Sequence, residues 1–309
     1  MNNITLKYAT FKKWIILMAM VFSLNNSFAG CDMCSLYMGL HPNQVKNGIS
    51  LKYRHSLYET SSAHVHNGVV HSTNPQTRTF QTIEAWAQLN LSRKMQVVVM
   101  LPFSMNSVEE KGLVMDAYNY IGDVQGLFRY QIYKTESKNE VVSRVVIGVG
   151  LKAPTGRYNI NSNSGYLDQH IQTGTGSWDL IYNTGYLLKY KKISFNEEIL
   201  YRMNTENNLN YRFADRFSSN STFYYTMGNE TISIIPSLGY LLEFAKEDLL
   251  SDQAVINTNG TSHYLVAGVD SYYKNLNFNL NFQKAFIENL RDTQTSNTYR
   301  FIIGLGVNF

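Results

Sequence analysis

Between Leu276 and Gln283 the sequence runs LNFNLNFQ, with Leu276, Phe278, Leu280 and Phe282 in one phase and Asn277, Asn279, Asn281 and Gln283 in the other. Successive side chains of an extended strand point to opposite faces, so this stretch has one apolar and one amide face. A period of two recurs down the chain and predicts twelve strands. The first six run from Gly48 to Tyr58, Thr79 to Ser92, Met95 to Asn106, Ile121 to Tyr133, Ser143 to Pro154 and Ser177 to Tyr190. The other six run from Ile193 to Asn204, Leu209 to Met227, Thr231 to Ala245, Ser262 to Tyr273, Leu276 to Asn289 and Thr298 to Phe309. Each can cross a bilayer at a tilt, which takes about 9–11 residues, whereas strands of soluble domains run about 5–6.

The connections alternate in length. Arg93-Lys94, Lys191-Lys192, Gly228 to Glu230 and Lys274-Asn275 are short and Lys134 to Val142 is intermediate; Glu59 to Arg78, Ser107 to Tyr120, Thr155 to Gly176 and Lys246 to Thr261 are long. Thr205 to Asn208 is fairly short and Arg291 to Asn297 moderate. This asymmetry is that of an outer-membrane barrel, and an even strand count places both termini at the short-turn, periplasmic end. The last strand, YRFIIGLGVNF, puts Tyr299, Phe301, Ile303, Leu305, Val307 and Phe309 on one face and closes on an aromatic residue. Trp86 in an inward phase and Glu197 in an outward phase depart from the simple alternation. A bulge or register change would reconcile either with the pattern, and the sequence does not place one.

The first residues specify export. Lys7, Lys12 and Lys13 precede an uncharged run from Trp14 to Leu24, and Ser27-Phe28-Ala29 follows as a cleavage site. This is the pattern of a cleaved signal peptide over residues 1–29, too short for a comfortable membrane span. A tail over residues 30–47 and a barrel over residues 48–309 then make up the mature protein. The formal charge of +4 includes the three leader lysines and no leader acid, which leaves +1 and no reason to expect a nucleic-acid partner. With 22 Tyr, 16 Phe, only 5 Pro and no other long uncharged run, no membrane helix is available, and a closed barrel is the remaining way to satisfy every backbone group in lipid.

Four segments carry a family resemblance. VGLKAPTGRYN (Val149 to Asn159) and QTGTGSWDL (Gln172 to Leu180), with YIGDVQGLFRY (Tyr120 to Tyr130) and YRFADRFSSNSTFYY (Tyr211 to Tyr225), resemble the outer-membrane barrels of the MetA-pathway phenol-degradation or transporter family. The N-terminal CDMCSLYMGLHPNQVKNGISLKYRH resembles a Bacteroidetes-like subgroup whose mature chain begins with Cys-x-x-Cys. The resemblance spans nearly the whole mature chain and implies passage of small, often hydrophobic molecules across the outer membrane. Its motifs are structural and supply no catalytic residues.

Several groups are candidates for chemistry. Cys31 and Cys34, the only cysteines, suit a disulfide or half of a thiolate metal site with His41 as a further ligand, and Ala29-Gly30 before Cys31 leaves lipid attachment open, although Phe28 fits that signal poorly. His64, His66 and His71 stand together in the first long loop, as a polar surface loop or as imidazoles for copper or zinc. Neither group calls for a resident cofactor. Lys52, Arg54, Glu84, Asp123, Arg129, Lys152, Asp179, Glu198, Arg202, Arg212, Arg216 and Arg300 fall in the inward phase, as a pairing network, as the lining of a conduit, or as both. Ser262 and His263 are adjacent on a strand and face opposite ways, and no nucleophile elbow or phosphate loop is present, so no enzyme is expected.

The sequence thus predicts an all-β, antiparallel up-and-down transmembrane barrel of about twelve strands in a Gram-negative outer membrane. Its expected partners are outer-membrane lipid, the barrel-assembly machinery and a small-molecule solute that it transports. The alternatives are a metal-binding or redox accessory protein acting through Cys31 and Cys34, and a structural barrel with a plugged lumen.

Overall fold

The computed structural model describes residues 46–60, 63–66, 69–72, 76–136, 141–161, 168–229, 231–256, 258–289 and 295–309. Twelve strands form the wall. They are β1 (Gly48–Thr60), β2 (Gln76–Asn90), β3 (Met95–Glu110), β4 (Val124–Glu136), β5 (Val141–Ala153) and β6 (Asp179–Tyr190), followed by β7 (Ile193–Met203), β8 (Arg216–Tyr225), β9 (Ile232–Ala245), β10 (Gly260–Tyr273), β11 (Leu276–Asn289) and β12 (Thr295–Asn308). Each pairs antiparallel with its neighbours in sequence. The last strand returns to the first, from Gly48 opposite Asn308 to Thr60 opposite Thr295, and Phe309 donates its N–H to the Asn47 carbonyl at 2.8 Å. Closure leaves the wall without an edge, which a bilayer demands because no water is there to satisfy one.

The two phases of alternation meet different surroundings. On β11, Leu276, Phe278, Leu280 and Phe282 are 55, 38, 39 and 45% exposed on the outside, while Gln283 on the inner face is fully buried. Leu51, Leu101, Leu151, Leu238 and Leu305 continue the apolar outer surface around the barrel. The predicted all-β barrel of twelve strands is therefore the observed fold. Trp86 and Glu197 need no local distortion, because the ladders through both are continuous. The irregularities lie elsewhere, at Leu57/Tyr58, Val108/Glu109, Gln131/Tyr133 and His263/Tyr264.

Two boundaries differ from expectation. The predicted loop from Ser107 to Tyr120 is a hairpin extension of the wall, in which β3 runs on to Glu110, turns at Lys111-Gly112 with φ of 51° and 78°, and returns as the strand Leu113–Ile121. Its bulge at Val108/Glu109 shifts the phase and hides the alternation. The predicted strand from Leu209 begins only at Arg216. Asp215 accepts the Asn204 N–H at 3.0 Å and the Asn204 amide donates to the Ala214 carbonyl at 2.5 Å, local bonds that compete with the ladder. In the first long loop, Ala63–His66 and Val69–Ser72 pair as a small hairpin that sets His64 opposite His71.

Candidate functional site

The inward-phase charges gather into separate clusters at different heights in the barrel. On β1 and β2, Arg54 Nε lies 2.9 Å from Glu84 Oε1, and Trp86 Nε1 donates to Glu84 Oε2 at 2.8 Å. The Lys52 ammonium lies 4.2 Å from the centre of the Trp86 ring, a cation–π contact. Trp86, the misfit of the alternation, is thus an inward donor to a buried carboxylate. Nearer the long-loop end, Arg300 is 2% exposed and is held by Glu243 at 2.8 Å, Tyr264 at 2.7 Å and Tyr58 at 2.9 Å. Arg129 lies 3.8 Å from Glu198, to which Asn183 donates at 3.0 Å, and Arg202 donates to Gln125 at 2.9 Å. Arg216 is buried on β8, whereas Arg212 sits outside the barrel strands, in the short segment Tyr211–Arg212 beside Asp215.

Three of the sequence motifs converge on one clasp. Asp123 of YIGDVQG lies 3.2 Å from the Lys152 ammonium of VGLKAPTG, and Lys152 also pairs with Asp179 of TGTGSWD. Asp123 accepts the Gly156 N–H on one oxygen and the Thr175 N–H and hydroxyl on the other, each at 2.9 Å. Ser177 donates to Asp179 at 2.8 Å, and the Thr205 N–H adds a bond at 3.2 Å. Two carboxylates around one ammonium, with backbone donors filling the other lone pairs, satisfy a buried ionic group that would otherwise be costly. Glycine is required where the chains cross: a Cβ on Gly174 would lie 2.4 Å from the Gly156 carbonyl carbon. The β5–β6 connection is thereby fixed to the inner face of the wall, where Asn106 donates to the Ile171 carbonyl at 2.9 Å and Ile171 packs on Val108 and Tyr118.

A second polar cluster links three connections at the long-loop end. Asp248, fully buried in the β9–β10 connection, lies 2.9 Å from His170 Nε2 of the β5–β6 connection. It accepts the Tyr211 hydroxyl at 2.6 Å and the Ala214 N–H at 2.8 Å, both from the β7–β8 connection. Burial works to raise the pKa of Asp248, but the charge and hydrogen bond of His170, the nearby Arg216 and the Tyr211 hydroxyl outweigh it, so the carboxyl titrates below its ordinary value of 3.8.

The comparisons with solved structures agree with this geometry. The chain is similar to the COG4313 outer membrane channel from Pseudomonas putida F1, with a TM-score of 0.59 and 12% identity over 87% of this chain and 100% of that one. The fold is that of an outer-membrane β-barrel. The beta domain of the Bordetella autotransporter BrkA is a more distant likeness to the barrel, with a TM-score of 0.46 and 12% identity over 85% of this chain and 100% of the other. No family model matches the sequence, and no curated protein matches it.

Beyond Trp86, the barrel holds inward residues that the alternation did not single out. Trp86, Val98, Met100, Leu127, Ile181 and Leu200 form a buried apolar cluster on the inner face of β2, β3, β4, β6 and β7. Its signal was masked because MQVVVMLPF, from Met95 to Phe103, is apolar in both phases, as strands buried on both faces are. Glu243, Asp248, Tyr58 and Tyr264 were missed for a different reason, since nothing local marks a residue as the partner of a charge on a distant strand. On the outer face, Glu197 accepts the hydroxyl of Ser219 at 2.6 Å and that of Ser221. Ser262 faces inward and His263 outward, where its Nδ1 lies 2.6 Å from the Tyr240 hydroxyl. Cys31, Cys34 and His41 lie outside the described residues, as does residue 1–29. The side chains of His64, His66 and His71 do too. Among the described residues no group of three or more His, Cys, Asp or Glu is placed to hold a metal ion.

Proposed function

We propose that this barrel is a channel that carries a small solute across the outer membrane. The observation that carries the reading is the contrast between the faces of one closed wall, apolar outside and lined inside with ionic pairs, amides and small residues. On β11, Asn277, Asn279 and Asn281 remain half-exposed on the inner face. The neighbouring β12 positions are Gly304 and Gly306, and a Cβ there would come within 2.5 and 2.7 Å of the Asn279 and Asn277 amides. This wall therefore keeps hydrogen-bonding amides in place and removes bulk behind them. Other strands carry the buried apolar cluster around Leu127 and Ile181, which packs the interior, so the accessible groups of this wall are its amides. Accessible amides suit a small molecule that carries a hydrogen-bonding group.

The finer reading, membership of the MetA-pathway transporter family, is supported by the clasp, which gives a structural purpose to three of the resembling motifs. The experiment is reconstitution of the purified protein into liposomes and planar bilayers. Discrete conductance or solute-dependent swelling supports a channel. Folded barrels that give neither would sink that function and favour a structural role.

A further inference from the structure

Below the apolar cluster, toward the short-turn end, the inner wall becomes basic. A cavity of about 350 Å³ opens there, lined by Arg93 and Lys94 of the β2–β3 turn, Arg129 of β4 and Arg144 of β5, with Gln96 and Gln131 among its polar groups. Four cationic side chains thus surround one small volume, and no carboxylate is among its described lining residues. Arg129 forms a loose ion pair with Glu198 at 3.8 Å, too long for a hydrogen bond, and Glu198 is also engaged by Asn183. Arg129 makes a long contact of 3.4 Å to Gln96, and its buried Nε has no hydrogen-bond partner among the described residues.

Like charges gathered in a low-dielectric wall repel one another, and an entering anion relieves that cost. A guanidinium also presents a planar fork of donors that matches the two oxygens of a carboxylate or phosphate. The volume lies within the usual range for small-molecule sites, about 300–1,000 Å³. We propose that this vestibule binds a small oxyanion, a carboxylate or phosphate group, through Arg129 and Arg144, with Arg93 and Lys94 drawing it in from the rim. Its role as a selectivity element rests on the channel reading. Binding itself does not.

The test uses the full-length protein in detergent, with citrate and inorganic phosphate as probes titrated by calorimetry. Saturable binding that weakens as salt rises is expected, at least about tenfold weaker in Arg129→Gln/Arg144→Gln, since each lost charge-assisted contact is worth roughly a factor of ten. Slower or faster gel migration of the unboiled sample reports whether the variant barrel has folded. If that pair fails to fold, Arg93→Ser/Lys94→Ser in the exposed turn should still weaken binding several-fold through the lost field. Folded wild-type protein that binds neither probe, or binding unchanged in the folded variants, overturns the site. In bilayers under a salt gradient, wild-type current carried mainly by anions and shifted toward cations in the arginine variant supports the selectivity role, and a cation-preferring wild type overturns it. A barrel that binds the probes yet passes no current would establish the site while removing the channel function.

Discussion

The inner faces of β6–β8 and of β11–β12 are built from opposite materials. Along β6, β7 and β8 the inward side chains are closed off from end to end, from Asp179, Ile181 and Asn183 through Ser194, Glu198, Leu200 and Arg202 to Arg216, Asn220 and Tyr224. On β11 and β12 the inward positions of the short-turn half include three partly exposed asparagines beside two glycines, with Ile302 and Asn308 buried next to them. Both walls obey the same alternation, so periodicity alone gives each the same outline. What separates them is side-chain volume and charge. Asp179 of the filled wall pairs with Lys152 of β5 and so helps anchor the β5–β6 connection, whereas the sparse wall sets glycines beside its amides. In the channel proposed above, the first wall would hold a connection still and the second would face the solute.

The strongest way to break this contrast is to remove the cation at its anchor. Lys152→Met leaves Asp123 and Asp179 buried side by side with no ammonium between them. Breaking a buried pair in this way costs about 3–5 kcal/mol. The expected outcome is a lower urea midpoint on heat-modifiability gels and protease access to the β5–β6 connection, with the rest of the barrel intact. A variant as resistant as the wild type would show that the hydrogen bonds to Thr175 and Gly156 suffice alone.

Leu127→Ala tests the packing behind the anchor. Leu127 is 1% exposed at the centre of the apolar cluster, and such a truncation costs about 2–5 kcal/mol depending on how far the site collapses. Unfolding should shift accordingly while the clasp stays closed to protease. On the sparse wall, Gly304→Val should act on flow more than on stability. Its new side chain would meet the Asn279 amide, at an overpacking cost of about 1–3 kcal/mol, and should lower single-channel conductance. Adding Asn279→Ala should restore much of the conductance. If the second substitution restores nothing, the two residues do not share the path, and the sparse wall loses its assigned part.

The sequence disclosed the alternation and hence the wall, because lipid on one side and a polar interior on the other impose the same rule on every strand. It was less informative wherever two demands overlapped. MQVVVMLPF is apolar in both phases because the inner face of β3 packs on Leu127 and Ile181 while its outer face remains apolar, so the inner cluster left no pattern. The strand start at Arg216 was displaced because Asn204 and Asp215 form their own bonds, which no periodicity reports. Of the inward charges, Lys152, Asp123 and Asp179 could each be placed on a face, but their meeting depends on the crossing of two glycine-containing turns. Pairing across strands is a property of closure, and only the folded chain contains it.

The smallest effect concerns the link between the two halves. Asp248 belongs to the β9–β10 connection, and it holds His170 of the β5–β6 connection and Tyr211 and Ala214 of the β7–β8 connection, with Arg216 nearby. Because its carboxyl is held below 3.8 in the closed arrangement, its contribution is fully present above 3.8, the value it regains when the connections separate. As pH falls below 3.8 the separated state takes up a proton first, and the contribution disappears as pH passes through the lowered value of the closed state. Loss of hydrogen bonds to one buried carboxylate corresponds to about 1.5–3 kcal/mol. Hydrogen exchange of the Tyr211–Arg212 and Asp248–Leu250 segments should therefore stay slow from neutral pH down to 3.8 and accelerate only in stronger acid, after correction for the intrinsic rate. Asp248→Asn should abolish that acid-dependent step while making exchange faster at neutral pH. An opening centred well above 3.8, unaltered by Asp248→Asn, would assign control to another group and leave the two halves joined by something other than this carboxylate.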